Sequence, residues 1–523
     1  MPPSSIENPP HRIAIWIERG IIGCIVLISL FAPHSIAVTQ SAWLLGMALW
    51  LLRFAFYPRP VLFRSPVDYA MLAFFVLSGI SGVFSYNPIM SIGKMRAASL
   101  FTIVYLVSQN VRTPKLIRTL AFLLIASCMV NVALTGFQLA MGRGVKVYGV
   151  RTDSPLAKAV FHTRTVTQLT PIKDGDIIWE IDGKRVNSPE EIASALASGA
   201  PKALVRIYRV EWIPELEVPR AQLLSGNSAL EQLGIQNWSR GRDWRATGFY
   251  GIWVTYAEVL QLIASLALGL FLTLSNKKSR TSLLLLVAVA GMIFALAMTV
   301  TRASWVGLAI SAALMLLVST SRRTVVIVCA CAIPIVIAGV FLLKEKRSIN
   351  FFDTRDQSTS WRQMVWREGF DLLVSKPRHL LVGVGQDSIK AYWREWGLFD
   401  NGRQPVGHMH SNLLQLALER GVPALVAWLI LIGIYARMLW RLRRRAKDDF
   451  QRGLALGALG GLAGFFASGL VHYNWGDSEV VTVFYFIMGL TLVVERLTPP
   501  ALAVWSHQLP PNGDSRTSLP VPS

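Results

Sequence analysis

The feature that most constrains this chain is a series of apolar runs, each near the length of a bilayer crossing, recurring between residues 21 and 494. Crossing a hydrocarbon core as a helix takes about 20 mostly apolar residues. Inside lipid, only helices and closed barrels satisfy their own backbone. The runs are 21–38, 42–57, 69–84, 98–111, 116–141, 249–274, 283–300, 305–318, 325–343, 422–440, 454–471 and 480–494. They predict an all-α polytopic membrane protein of about twelve transmembrane helices. Several runs are short, so the helices should extend into flanking polar residues. The first is interrupted by Pro33 and His34 and lacks a small-x-small cleavage site, so it is read as a retained span. Only 16% of the 523 residues are charged against 53% hydrophobic, too little charge to cover a soluble protein of this size.

A net charge of +21 could suggest nucleic acid. Here the basic residues sit mostly in short loops between apolar runs, which is an orientation signal. With the N-terminus in the cytoplasm, the inside loops hold Arg53, Arg59 and Arg64; Arg112, Lys115 and Arg118; Lys277, Lys278 and Arg280; and Arg322 and Arg323. The last carries Arg437, Arg441, Arg443, Arg444, Arg445, Lys447 and Arg452. The expectation is a bacterial inner-membrane protein with both termini cytoplasmic, embedded in the lipid bilayer and binding no nucleic acid. Its long segments, from about 142 to 248 and 344 to 421, are then periplasmic. The implied organisation is five spans in 1–141, a folded insert in 142–215, a linker and four spans in 216–343, an external catalytic loop in 344–421, three spans in 422–496 and a disordered cytoplasmic tail in 497–523. Cys24, Cys128, Cys329 and Cys331 all lie in apolar runs and read as packed or lipid-facing residues.

Within the first insert the pattern becomes that of a soluble α/β unit. Residues 177–181 read as a strand, Asp182-Gly183 as a tight turn, and Ser188-Pro189-Glu190-Glu191 as a capped helix start. Residues 203–210 alternate as a closing strand. The order Ser154-Pro155, Gly175-Asp176-Ile177-Ile178, Asp182-Gly183 and Ser188-Pro189-Glu190-Glu191 resembles a bacterial PDZ domain. That resemblance implies capture of an extended peptide on a sheet edge, with Tyr148, Gly149 and Val150 as the carboxylate-binding loop and a periplasmic protein as partner. The alternative is a spacer with an occluded groove.

The second external segment concentrates the chemistry. Arg302 opens an apolar run in Thr301-Arg302-Ala303-Ser304-Trp305, where a charge is costly without a role; alone it could be a snorkelling arginine. Downstream come Trp361-Arg362, Trp366-Arg367, Gly383-Val384-Gly385, His408-Met409-His410-Ser411-Asn412-Leu413 and Glu419-Arg420-Gly421. This order resembles the O-antigen ligase/polymerase family from about 245 to 494, including Arg245-Ala246-Thr247-Gly248-Phe249 before the sixth span. The first five spans agree only in being apolar, and the insert departs from the family plan.

The resemblance implies a membrane glycosyltransferase that moves a glycan from undecaprenyl diphosphate to an acceptor hydroxyl, with inversion and no metal or cofactor. The family's essential arginines fall on Arg302 and Arg362 and its histidine on His410. Arginine suits diphosphate oxygens, and a neutral histidine can take a proton near working pH. His410 is the expected base, His408 orients it or holds acceptor, and Asn412, Arg245 and Arg367 complete the substrate-binding set. The acceptor is lipid A-core, glycan or protein, corresponding to a ligase, a polymerase or a protein O-oligosaccharyltransferase. Zinc on His408 and His410 lacks recognisable ligand spacing from Asp400 or Glu419. The other histidines, His379 and His472 among them, read as surface or interfacial residues. Gly383 and Gly385 suit a bend, or a turn close to the diphosphate. A His-Glu-x-x-His metalloprotease finds no match. A lipid-linked glycan flippase would show repeats or charges deep in spans, whereas the charges here cluster in loops.

Overall fold

Polar caps and prolines set where the apolar runs begin as helices. Asn87 and Thr113 accept hydrogen bonds from the N–H groups of Met90 and Leu116, with Pro88 and Pro114 in the first turns. The computed structural model describes residues 12–319 and 357–498, apart from 163–166, 210–212, 221, 243 and 405. The expected span 325–343 and almost all of the expected tail lie outside the described residues.

The first membrane section holds α1 (Arg12–Phe31), α2 (Ile36–Arg53), α3 (Asp68–Val83), α4 (Pro88–Ala98), α5 (Thr102–Asn110) and α6 (Pro114–Met141). A short 3-10 turn joins α4 and α5 into one crossing. After the insert come α9 (Trp253–Thr273), α10 (Arg280–Thr299) and α11 (Arg302–Ser319). The external loop folds as α12 (Gln357–Val374), α13 (Pro377–Val382), α14 (Ser388–Tyr392), α15 (Leu398–Gly402) and α16 (Asn412–Arg420). The chain ends in α17 (Val422–Arg445), α18 (Asp449–Ser468) and α19 (Ser478–Leu497). Nine helices among the described residues are long and apolar enough to cross a membrane. The chain is a multi-pass membrane protein.

The expected first span, 21–38, is two helices instead. The chain turns at Ala32-Pro33-His34-Ser35, because Pro33 offers no N–H and Ser35 caps α2. The turn is tied down by α6: Asn131 donates to the Pro33 carbonyl at 2.7 Å, and His34 Nε2 lies 2.7 Å from Ser127 Oγ. The first crossing therefore begins at Arg12, and residues 36–41 belong to the second.

The centre of the bundle is α9, buried along nearly its whole length. Its closest partner is α18, whose Gly453, Gly457, Gly461 and Gly464 let the backbones touch. A Cβ at Gly457 would stand 2.8 Å from Leu266 Cα, and one at Gly269 would stand 2.3 Å from Gly457 Cα. Small residues drive helix association in lipid through this close packing. Gly457→Val should lower the thermal unfolding midpoint in detergent by several degrees; an unchanged midpoint would mean the seam tolerates separation.

The insert is a single antiparallel sheet with two helices. Its strands are β1 (Val145–Tyr148), β2 (Val160–His162), β3 (Thr167–Leu169), β4 (Ile177–Ile181), β5 (Lys184–Arg185), β6 (Lys202–Tyr208), β7 (Glu215–Pro219) and β8 (Asn237–Arg240). They lie in the order β3-β2-β7-β6-β4-β1-β8, with β5 hairpinned onto β4. The helices are α7 (Pro189–Ala197) and α8 (Ala229–Leu233). Ser188 caps α7 as expected, while Glu191 accepts from the N–H of Asn187 at 2.7 Å, one residue earlier than the capping box anticipated. The sheet also runs past the expected boundary at 215, because β7 closes onto β6 and β8 pairs along the whole of β1.

That pairing bears on the expected peptide-binding loop. β1 has β4 on one side and β8 on the other, so it offers no free edge. The N–H of Val150 donates to Asp174 Oδ1 at 2.9 Å, and the Gly149 and Val150 amides together hold the Asp174 carboxyl below its ordinary range. Gly149 sits against Gln236, which donates to the Tyr148 carbonyl at 3.0 Å. The Gly149 and Val150 amides are thus engaged by the exposed Asp174 carboxylate.

Candidate functional site

The His408-Met409-His410 loop is fixed through its middle residue. Met409 is fully buried, its N–H donates to Gln415 Oε1 at 2.6 Å, and its carbonyl accepts from Trp366 Nε1 at 2.8 Å. With Met409 plugged into the core under α12 and α16, the flanking side chains emerge together. The two imidazole centroids stand 4.0 Å apart, and the His410 N–H donates to His408 Nδ1 at 3.2 Å. His410 takes a left-handed backbone, φ 46°, which few non-glycine residues adopt. Trp361 meets the His410 ring nearly edge-on at 4.6 Å, and Tyr473 packs 5.7 Å from His408.

Both histidines open onto a cavity of about 700 Å³ also lined by Arg362, Arg420, Lys94, Lys390, Arg245, Glu258 and His472. Arg362 arrives from the first turns of α12. Arg245 reaches the wall from the strand-to-helix connection, its Nε donating to the Thr299 carbonyl at 2.7 Å and its guanidinium lying 4.8 Å from the Trp253 ring centroid.

Other expected site residues stand elsewhere. Arg302 heads α11 but does not line the cavity. Arg367 is exposed on the outer side of α12. Asn412 is buried as a latch rather than as a wall residue: its Nδ2 donates to Asn474 Oδ1 at 2.6 Å and its Oδ1 accepts from the Trp475 N–H at 3.1 Å. Gly383 and Gly385 form a bend packed against α16, with the N–H groups of Val384 and Gly385 donating to the carbonyls of Leu418 and Glu419. A Cβ at Gly383 would stand 2.5 Å from the Glu419 backbone.

Two histidines read as surface or interfacial are buried. His379 bridges the Tyr86 hydroxyl at 2.9 Å and the Leu372 carbonyl at 2.7 Å. His472 lines the cavity floor, with Nδ1 3.0 Å from Glu258 Oε1. Glu258 is fully buried in α9, within a membrane-spanning helix, contrary to the expectation that charges keep to loops. It also accepts from Ser304 Oγ at 3.1 Å, Ser468 Oγ at 2.8 Å and Asn474 Nδ2 at 3.3 Å. An ionisable group so placed is expensive and needs partners, and here α11, α18 and the 469–477 turn supply them. The sequence signal was a single acid in the apolar run 253–273.

A second missed residue is Arg420. It is only 7% exposed, donates through Nη2 to Gln386 Oε1 at 3.3 Å and lies 5.1 Å from the Phe74 ring centroid. Its Nε and Nη1 find no hydrogen-bond partner among the described residues. Glu419 next to it accepts from the Asp387 N–H at 2.9 Å and the Tyr473 hydroxyl at 3.4 Å, and burial pushes its carboxyl upward.

Five basic and five acidic side chains line the cavity, and Asp387 pairs with both Lys94 and Lys390. Burial lowers the His408 imidazole to about 4, helped by Lys390, His472 and Arg362. Burial, then His408, Arg362 and His472, lowers His410 further. Both rings are neutral near pH 7.

Residues 287–429 match the family model described as O-antigen ligase, from α10 to the first turns of α17. The match covers 143 of the chain's 523 residues. No curated protein matches it.

Proposed function

We propose that this chain transfers a glycan from undecaprenyl diphosphate to an acceptor hydroxyl at the His408–His410 cavity. The observation that carries the reading is the convergence of His408 and His410 with Arg362 and Arg420 on one 700 Å³ space. The acceptor O–H attacks the anomeric carbon and passes its proton to His410, while the bond from that carbon to the diphosphate oxygen breaks. The diphosphate leaves with the electron pair, and its growing charge is met by Arg362 and Arg420. One displacement inverts the anomeric centre. Arg420 suits this role because its Nε–H and Nη1–H groups are buried and need an acceptor. Arg302, outside the cavity lining, is assigned to the part of the diphosphate nearest the lipid. His408 orients His410, and His472, held by Glu258, supports both from below. The basic loops support inner-membrane placement with the cavity facing the periplasm. Lipid A-core is the acceptor proposed first.

Deletion of the gene followed by analysis of surface polysaccharide tests this. Accumulated undecaprenyl-linked polymer with undecorated core supports a ligase; single repeat units support the polymerase reading. Arg420→Ala should raise KM for the donor by about tenfold, as expected for a lost charge-assisted contact, and an unchanged KM removes Arg420 from donor binding.

A pH effect follows from the effect of Arg362 on His410. In the free enzyme Arg362 helps hold His410 low. A bound diphosphate offsets that cation and raises the imidazole. The acid limb of kcat, which reports the donor complex, should therefore lie at higher pH than that of kcat/KM, which reports the free enzyme. Coincident limbs would count against donor contact with Arg362.

A further inference from the structure

A second cavity, of about 380 Å³, lies where the inserted sheet meets the membrane bundle. It shares Arg245 and Trp253 with the reaction cavity, so the two spaces are neighbours across one wall. Its volume falls in the usual range for small-ligand sites, roughly 300–1,000 Å³.

Its chemistry is specific. Trp179 of β4 and Trp244 present aromatic surface, and the Nε1–H of each is buried without a hydrogen-bond partner among the described residues. Gln138, near the end of α6, leaves its Oε1 buried and unpartnered in the same cavity. Buried polar groups are seldom left unpaired, and the residues that carry these two donors and one acceptor all line this space. Arg143 lies 4.5 Å from the Trp244 ring centroid. Arg185 of β5 is near enough for its charge to weigh on that of Arg143. Neither arginine is paired with a carboxylate among the described residues. Two like charges held beside apolar rings make a site for an anion with a flat apolar face.

We infer that this cavity is a saccharide subsite that binds an acidic sugar of the transferred glycan, its pyranose face on Trp179 and Trp244 and its carboxylate on Arg143 and Arg185. Indole N–H groups and the Gln138 carbonyl then meet ring hydroxyls, and guanidinium forks meet the carboxylate. The subsite rests on the transferase reading for its purpose. A sugar on the diphosphate in the first cavity places the next sugar of the chain beyond Arg245 and Trp253. It also gives the inserted domain a task where its sheet meets the membrane bundle.

The test is equilibrium dialysis of the full chain in lipid nanodiscs against end-labelled trigalacturonate, with maltotriose as the neutral counterpart and undecaprenyl phosphate as competitor. Trigalacturonate should bind and maltotriose should bind at least about tenfold more weakly. Arg185→Ala changes an exposed residue, and Trp179→Phe keeps the ring while deleting the N–H. Each should weaken trigalacturonate by about tenfold. Equal binding of both trisaccharides overturns the acidic assignment. Displacement of trigalacturonate by undecaprenyl phosphate, or absence of binding, overturns the subsite. Transfer activity is measured on the same samples. Loss of the subsite with transfer retained leaves the transferase reading standing, and binding without transfer does the reverse.

Discussion

His410→Ala is expected to reach the membrane at normal yield and to lose transfer by about 10²–10⁴-fold, the range a positioned general base contributes. The fold should survive because the loop is anchored elsewhere, by the buried Met409 side chain and its bonds to Gln415 and Trp366. Among the described residues, the His410 ring makes lateral contacts with Trp361 and His408. Purified variant assayed with lipid-linked glycan and acceptor decides the matter, beside His408→Ala as the positioning control. Full activity of His410→Ala, or abolition of wild-type activity by a chelator, would sink the metal-free histidine mechanism.

Glu258→Leu is expected to be the most damaging single change in the membrane core. It leaves Ser304, Ser468, His472 and Asn474 without their shared acceptor, far from water. Each buried donor left without an acceptor typically costs about 1–3 kcal/mol. Loss of expression or a large fall in the unfolding midpoint should result, with transfer lost in whatever protein remains. Glu258→Gln keeps an acceptor oxygen of the same shape and should recover much of the stability. If the leucine variant unfolds at the wild-type temperature, the cluster is dispensable and His472 is not held by it.

Much of this molecule can be read from its residues because lipid imposes a strict pattern. The apolar runs locate most helices within a few residues, and motif order brings His408, His410, Arg362 and Arg245 to one cavity. The misreadings share a physical cause, which is dependence on distant partners. The break at Pro33 is stable because Ser127 and Asn131, about a hundred residues away, bind the turn. Glu258 and His472 stand 214 positions apart, and neither has a neighbour in sequence to announce the pair. Arg420 reads as a helix-terminal cation of the ordinary kind until α3 and the Gln386 segment are seen to bury it. The sheet was underestimated because β8, Asn-Trp-Ser-Arg, has no apolar alternation and is a strand only because β1 lies beside it.

The contact of α9 with α18 along facing glycines has a consequence for how the site can vary. Glu258 rides on α9 and its partner Ser468 on α18, so the backbone seam acts as a ruler that sets the width of the floor beneath the histidines. Lipid-facing positions can exchange one apolar residue for another without moving that mark. A single methyl group in the seam rescales it.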